Sequence, residues 1–285
     1  MGFVDLHVHS NASDGSFSPS EVVSLAARAG LCAIALTDHD TVDGIGQAET
    51  AAKTEGIRLI PGIEISSMYE GTEIHILGLF VQPEEPSLAG ILEKFRAIRD
   101  NRNRLMLERL AADGMTFKDG QLTGGNPDTV ITRAHVARAL VEAGYASSLD
   151  QAFKRFLKYG GKYCPYKESP PPETAVEALL KNGAFVSLAH PYQYKLGDEG
   201  IRRLAARMKE MGMQGLEVYH SSHNPYESGK LQVLAKELGL LPTGGSDFHG
   251  AGKPDISIGT GRGGLRVSSL LLDDIDRSRS GRAAR

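Results

Sequence analysis

The sequence predicts a parallel α/β fold, either a barrel or a wound sheet, from three observations. Short apolar runs alternate with helix-like segments, each run ends in polar residues able to do chemistry, and the intervals between runs suit crossover helices.

Residues 3–7 read as the first strand, and 20–29 as a helix marked at its start by Ser18 or Ser20 and at its end by Gly30. A serine hydroxyl accepts from an unpaired first-turn N–H, and glycine tolerates the left-handed conformation that closes a helix. Residues 32–36 form a second strand, with Thr37-Asp38-His39-Asp40 at its carboxyl end. A helix over 46–55 leads through Gly56 to a strand at 57–60, after which Pro61-Gly62 predicts a turn into Glu64. Residues 73–80 make the next strand. Later strands fall at 184–188, 216–219 and 241–244, separated by helices over 172–181, 200–211 and 226–238.

Residues 82–167 break this rhythm with a long helical pattern over 88–112, a Gly-rich polar loop, and helices near 133–143 and 149–157. They predict a small helical insert between two parts of one core, 1–81 and 168–272. The tail, 273–285, has almost no apolar content and is expected to be disordered.

With 41% hydrophobic residues in 285, the chain can bury one large core or a core plus a modest insert. A net charge of −3 supplies no global basic field for duplex DNA, so any anion binding must be local. Cys32 and Cys164 lie far apart, outside any C-x-x-C spacing, and read as ordinary buried thiols of a reducing cytoplasm. The first residues form no basic and apolar leader, and no stretch of about 18 apolar residues follows, so a cytoplasmic protein without a membrane partner is expected.

His7-Val8-His9 on a strand places both imidazoles on one face, because side chains alternate with period two. Alone, such a pair is more often structural or at the surface than metal-binding. The pattern recurs, however: His39 follows the second strand, Glu64 the third, His75 lies in the next, His190 follows Leu188-Ala189, and Asp247 with His249 follows the last. In parallel α/β folds the carboxyl ends of strands face the same side, so these residues converge there. Buried imidazoles and carboxylates are costly without a cation, and nitrogen and oxygen donors without thiolate suit zinc, manganese or iron. The competing reading is a polar cavity satisfied by hydrogen bonds and water.

Five blocks in order, His7-Val8-His9-Ser10 with Asp14-Gly15, Leu36-Thr37-Asp38-His39-Asp40, Pro61-Gly62-Ile63-Glu64, Ala189-His190-Pro191 and Gly245-Ser246-Asp247-Phe248-His249, closely resemble the PHP (polymerase and histidinol phosphatase) superfamily. The resemblance covers residues 1–82 and 168–259. It implies a distorted seven-stranded β/α (TIM-like) barrel with three divalent ions per chain. It also implies that His7, His9, Glu64 and Asp247 hold one ion, that Glu64 bridges to a second held by His75 and His190, and that Asp14, His39 and His249 form the third set. Asp14 stands where some members carry histidine; the added negative charge favours manganese over zinc.

The expected reaction is hydrolysis of a phosphate ester by a hydroxide held between the ions near Glu64, attacking phosphorus in line without a covalent enzyme intermediate. Catalytic roles fall to His39, Glu64, Asp247 and His249. His39, or a metal-bound water near Asp14 and His249, protonates the leaving oxygen. Asp38 and Asp40 are expected to orient neighbours or lie at the surface, and His220 and His223 to line the mouth, stand behind the ligands or lie at the surface.

In the long helix Phe95, Ile98 and Leu105 recur with helical spacing, and Arg102 lies on the same line. Arg99 and Arg102 either snorkel or pair with an acid, or reach toward phosphate; Arg133 is a similar candidate, and His135 sits at a helix start where an anion can meet free N–H groups. The segment Thr132 to Tyr145 resembles the insert of PHP members acting on nucleotides phosphorylated at both the 3′ and 5′ positions. That implies a nucleoside 3′,5′-bisphosphate phosphatase whose insert arginines grip the 5′-phosphate. Related members trim short 5′-phosphorylated oligoribonucleotides. Rival expectations are histidinol-phosphate phosphatase, amidohydrolase-type amide or deaminase chemistry, and an inactive nucleotide-binding PHP module. The oligomeric state stays open.

Overall fold

The computed structural model describes residues 2–118, 120–123, 129–165 and 170–283. It opens with two β-α-β units: β1 (Phe3–Val8), α1 (Pro19–Arg28), β2 (Leu31–Leu36), α2 (Ile45–Glu55) and β3 (Arg58–Tyr69). Ser18 caps α1 in a reciprocal box with Glu21, and Pro19, Val22, Val23 and Ala26 form its buried stripe.

The expected turn at Pro61-Gly62 does not form; β3 runs through it. Up to Pro61 this strand pairs in parallel with β2, and from Gly62 it pairs antiparallel with β4 (Thr72–Leu79). Gly62 serves close approach rather than turning, since a Cβ there would lie 2.7 Å from Thr37 Cγ2 and 2.8 Å from the Leu36 carbonyl oxygen. The reversal comes later, at Glu70 and Gly71, both with positive φ.

The insert contributes α3 (Pro86–Ala112), α4 (Arg133–Glu142) and α5 (Leu149–Arg155), packed around Met106, Leu110, Val136, Leu140, Phe156 and Cys164. Its expected boundary at 167–168 falls outside the described residues. Cys164 is buried as expected, but Cys32 is exposed on β2.

The sheet resumes with α6 (Pro172–Lys181), β5 (Phe185–Leu188), α7 (Gly197–Glu210), β6 (Gly215–His220), α8 (Pro225–Leu238) and β7 (Leu241–Gly245). Strand order is β7-β6-β5-β4-β3-β2-β1-β8, where β8 (Val267–Ser268) pairs antiparallel with β1 and adds an eighth strand to the seven expected. The sheet is mixed, because β4 is antiparallel to both β3 and β5.

Past β7 the chain meets β1. Asp247 N–H donates to the His7 carbonyl at 2.8 Å and His9 N–H to the Phe248 carbonyl at 3.0 Å, so the sheet nearly closes into a barrel. The buried Asp5 carboxylate reinforces this seam by accepting from the N–H groups of Ser246 and Gly259, each at 2.8 Å. A Cβ at Gly245 would fall 2.4 Å from the His7 backbone nitrogen, so only glycine permits the approach.

The tail is not disordered over the described residues: α9 (Ser269–Ala283) covers one end of the core. Leu272 and Ile275 are buried against β1 and β2 residues, Arg58 pairs with Asp276 at 2.6 Å, and Arg279 lies 3.9 Å over the Phe80 ring. A few well-placed contacts suffice where composition alone argued for disorder. Among the described residues no helix is long and apolar enough to cross a membrane.

Candidate metal centre

Alternation along β1 aims His7 and His9 at one point, with their Nε2 atoms 3.1 Å apart and no solvent exposure. His39 follows β2, His190 follows β5, and Asp247 and His249 follow β7, each at a carboxyl end as expected. His75 arrives by a different route. Its strand β4 is antiparallel to its neighbours, so the amino-terminal half of β4 is the part that reaches the site.

Glu64, fully buried on β3, is the hub. Its Oε1 lies 2.9 Å from His190 Nε2, 3.0 Å from His75 Nδ1 and 3.4 Å from His7 Nε2; its Oε2 lies 3.1 Å from His39 Nδ1 and 3.2 Å from His9 Nε2. Asp247 Oδ1 stands 3.4 Å from both His9 Nε2 and His249 Nδ1, and Asp14 Oδ1 stands 3.1 Å from His249 Nε2. Donor atoms gather within 4.8 Å of one another in four overlapping sets: His9, Asp14, His39 and His249; His7, His220 and Asp247; His7, Glu64 and His190; and His39, Glu64 and His75. All nine expected residues therefore meet in one cluster, although the sets divide differently from those the resemblance implies.

This donor set suits cations. Five imidazole nitrogens face one carboxylate, which offers roughly four lone-pair positions. Burial opposes charge on His9, but Asp247 and Glu64 outweigh it and push the imidazole up to about 9; His7 is likewise raised against burial, by Glu217, Glu64 and Asp247. Protons on both Nε2 atoms would then point at each other across 3.1 Å. Metal cations replace those protons without the clash, and they also serve Asp14 Oδ1, Glu64 Oε2 and His39 Nδ1, which are buried without a hydrogen-bond partner. Burial opposes ionisation of Glu64, yet His75, His39 and His7 hold its carboxyl well below the usual range; Asp247 is lowered likewise by Lys253, His249 and His7.

Outer partners aim the rings. Glu217 Oε1 lies 3.0 Å from His7 Nδ1, while its Oε2 accepts the His190 backbone N–H at 2.7 Å. His249 Nδ1 lies 2.9 Å from the Asp247 carbonyl oxygen, leaving its Nε2 facing Asp14. His220 is arranged differently. Its Nδ1 accepts from the Ser222 backbone N–H at 3.0 Å, so the proton of the neutral ring sits on Nε2, 3.3 Å from Asp247 Oδ2. Burial pushes this imidazole down to about 4, and the ring orients Asp247. His223 lies behind it, contacting the Val218 carbonyl and the Tyr192 ring.

Asp38 and Asp40 orient neighbours. Asp38 accepts from Ser10 and Ser13, and Asp40 accepts from Ser66 N–H and ion-pairs with Arg99.

Beside the cluster, under the insert, lies a cleft of about 150 Å³ lined by Asp14, His39 and His75 on the barrel side and by Arg99, Arg102 and Arg133 on the insert side. Arg99 is buried, pairs with Asp40, and leaves its Nε without a partner. Arg102 donates to Asn103 Oδ1 at 2.7 Å. Arg133 stacks 3.7 Å over the Tyr159 ring and donates to Glu73 at 3.0 Å. His135 is not among the cleft's lining residues. Its Nδ1 accepts from the Thr132 N–H at 3.0 Å, so it caps its own helix instead of meeting an anion.

The chain matches the PHP domain over residues 5–163. It is 39% identical over 246 residues to a 5′-3′ exoribonuclease of Haemophilus influenzae, covering 86% of this chain and 89% of that one. The chain belongs to the PHP family. A 3′,5′-nucleoside bisphosphate phosphatase of Chromobacterium violaceum is 35% identical over 260 residues, 91% of each chain. The fold also overlays on a structure from Bifidobacterium adolescentis assigned as a metal-dependent phosphoesterase, with a TM-score of 0.84 at 31% identity over 96% of each chain. This PHP protein is a metal-dependent phosphoesterase, a hydrolase of phosphoric ester bonds, and its His/Asp/Glu cluster is a divalent-metal site.

Three contributors to the PHP site escape sequence reasoning. Glu217 leaves a signal, a single charge between apolar Leu216 and Val218 on a strand. Lys253, whose Nζ lies 2.5 Å from Asp247 Oδ2, and Thr132, whose hydroxyl donates to Asp14 Oδ2 at 3.0 Å, leave none.

Proposed function

We propose that this chain removes the 3′-phosphate from nucleoside 3′,5′-bisphosphates. The reading is carried by one observation: the cleft that joins the metal cluster to three insert arginines is small and two-sided. One phosphate reaches the cluster while the other meets Arg99, Arg102 and Arg133. The Chromobacterium relative bears that substrate in its name, and the Haemophilus relative's exoribonuclease name favours short 5′-phosphorylated RNA as a second substrate of the same grip.

The residues proposed to hold the ions are His7, His9, Asp14, His39, Glu64, His75, His190, Asp247 and His249, with three manganese ions as the expected complement. When bound, such ions lower the pKa of water and neutralise charge on phosphate oxygens. The protein's own residues do the rest. Glu217 holds His7 in the tautomer whose Nε2 is a free donor, and the Asp247 carbonyl does the same for His249. The buried Arg99, braced by Asp40, and the stacked Arg133 meet the remote phosphate with little rotamer entropy left to lose. Burial holds His39 well below the usual imidazole range despite Glu64 and Asp14. The insert, residues 82–167, acts as the substrate cap.

The test is phosphate release by manganese-supplemented protein from adenosine 3′,5′-bisphosphate, adenosine 3′-monophosphate, histidinol phosphate and a 5′-phosphorylated oligoribonucleotide. The bisphosphate is expected to exceed both monophosphates in kcat/KM. Equal or greater activity on histidinol phosphate contradicts the reading.

A further inference from the structure

We infer that Thr132, on the helical insert, is a positioning residue for Asp14, so that the part of the metal centre built on Asp14 depends on the insert. The inference rests on the proposed assignment of Asp14 as a metal ligand.

The bonds around the Thr132 hydroxyl fix its direction. Its oxygen accepts the Ala134 backbone N–H at 3.1 Å as the cap of α4. Its single proton has two acceptors within reach, His135 Nδ1 at 3.2 Å and Asp14 Oδ2 at 3.0 Å. The His135 lone pair is already taken by the Thr132 backbone N–H at 3.0 Å, so the proton goes to the carboxylate. That occupies Asp14 Oδ2 and leaves Oδ1 facing His249 Nε2 at 3.1 Å. Both Thr132 and Asp14 are buried.

Nearby insert residues hold the same barrel loop. Thr129 Oγ1 donates to the Asn11 carbonyl at 3.1 Å, Val130 N–H to the Ala12 carbonyl at 3.2 Å, and Arg138 Nη1 to the Asp14 carbonyl at 3.0 Å. The loop that carries Asp14 is thus clamped along its length by one insert segment. Arg133, in the cleft, is the residue after Thr132. Helix capping alone requires none of the bonds to residues 11–14.

Manganese-loaded full-length protein is dialysed against metal-free buffer, and its manganese content is measured for wild type, Asp14→Ala, Thr132→Ser, Thr132→Gly and Thr132→Val. Glycine is nearly as good a cap as threonine but has no hydroxyl, so Thr132→Gly isolates the bond to Asp14 from the cap. Thr132→Gly and Thr132→Val are expected to hold one ion about 10- to 100-fold more weakly and to lose it, as Asp14→Ala does, while Thr132→Ser retains it. Circular dichroism reports folding, and if one of the two hydroxyl-free variants fails to fold the other carries the result. Wild-type content in a folded hydroxyl-free variant, when Asp14→Ala loses an ion, overturns the inference. Wild-type content in Asp14→Ala overturns the ligand assignment beneath it.

Discussion

Asp247 sits in the left-handed region at φ 58, and Asp40 and His190 also have positive φ, so three of the non-glycine residues with that backbone lie in or beside the site. Such conformations persist where surrounding contacts over-determine them. Around Asp247 those contacts are Lys253 and His220 on Oδ2 and the histidines on Oδ1. Replacing Asp247 or His9 by alanine is expected to abolish phosphate release with little change in circular dichroism, because the barrel seam is held by backbone and Asp5. Arg133→Ala removes a charge-assisted contact of about 1.5–3 kcal/mol, so kcat/KM for the bisphosphate should fall roughly 10- to 100-fold, mostly through KM. His7 and His9 were legible because period two fixes their side without knowledge of the fold. His135 was not, because a helix-start histidine can cap its own helix as easily as meet an anion, and only three-dimensional contacts decide. The histidines also set a pH signature in metal-free protein. His9 and His75, both raised to about 9, contribute stability that is complete below the unfolded value near 6.5 and is lost as pH climbs through 9. His135 and His220, both lowered to about 4, act oppositely and withdraw stability as pH drops below about 6.5. Thermal melts of metal-free protein should therefore show Tm declining from about pH 6.5 to 9, and saturating manganese should remove that decline.

At the scale of elements, helices and strands were legible wherever apolar spacing and caps agreed, as at α1, where Ser18, one of the two serines offered as its start, is the cap. Two elements were hidden for physical reasons. In β3, Pro61-Gly62 carries the composition of a turn, but the proline falls where the strand changes partners and the glycine is demanded by Thr37 and the Leu36 carbonyl. In α9, Leu272, the buried Ile275 and an ion pair anchor a helix whose residues after 272 are almost wholly polar. Leu272→Ala is expected to cost about 2–5 kcal/mol in denaturant unfolding, as core truncations do. A change within about 0.5 kcal/mol, typical of surface positions, would mean the helix does not dock.

For the whole molecule, an incompletely parallel sheet still delivers convergence. β4 reverses direction, yet His75 reaches Glu64 because the amino-terminal half of an antiparallel strand lies at the carboxyl ends of its neighbours. Because so many donors share one buried hub, metal binding couples to stability across the barrel. Removing metal with a chelator should lower Tm at neutral pH and stop phosphate release, and adding manganese back should restore both. Anomalous diffraction from manganese-soaked crystals is the most direct examination of the cluster. Peaks within coordination distance of His7, His9, Glu64 and Asp247 are expected, with a further peak beside Asp14, His39 and His249. A well-ordered crystal at saturating manganese with no peak among these residues would contradict the metal centre and the hydrolysis built on it.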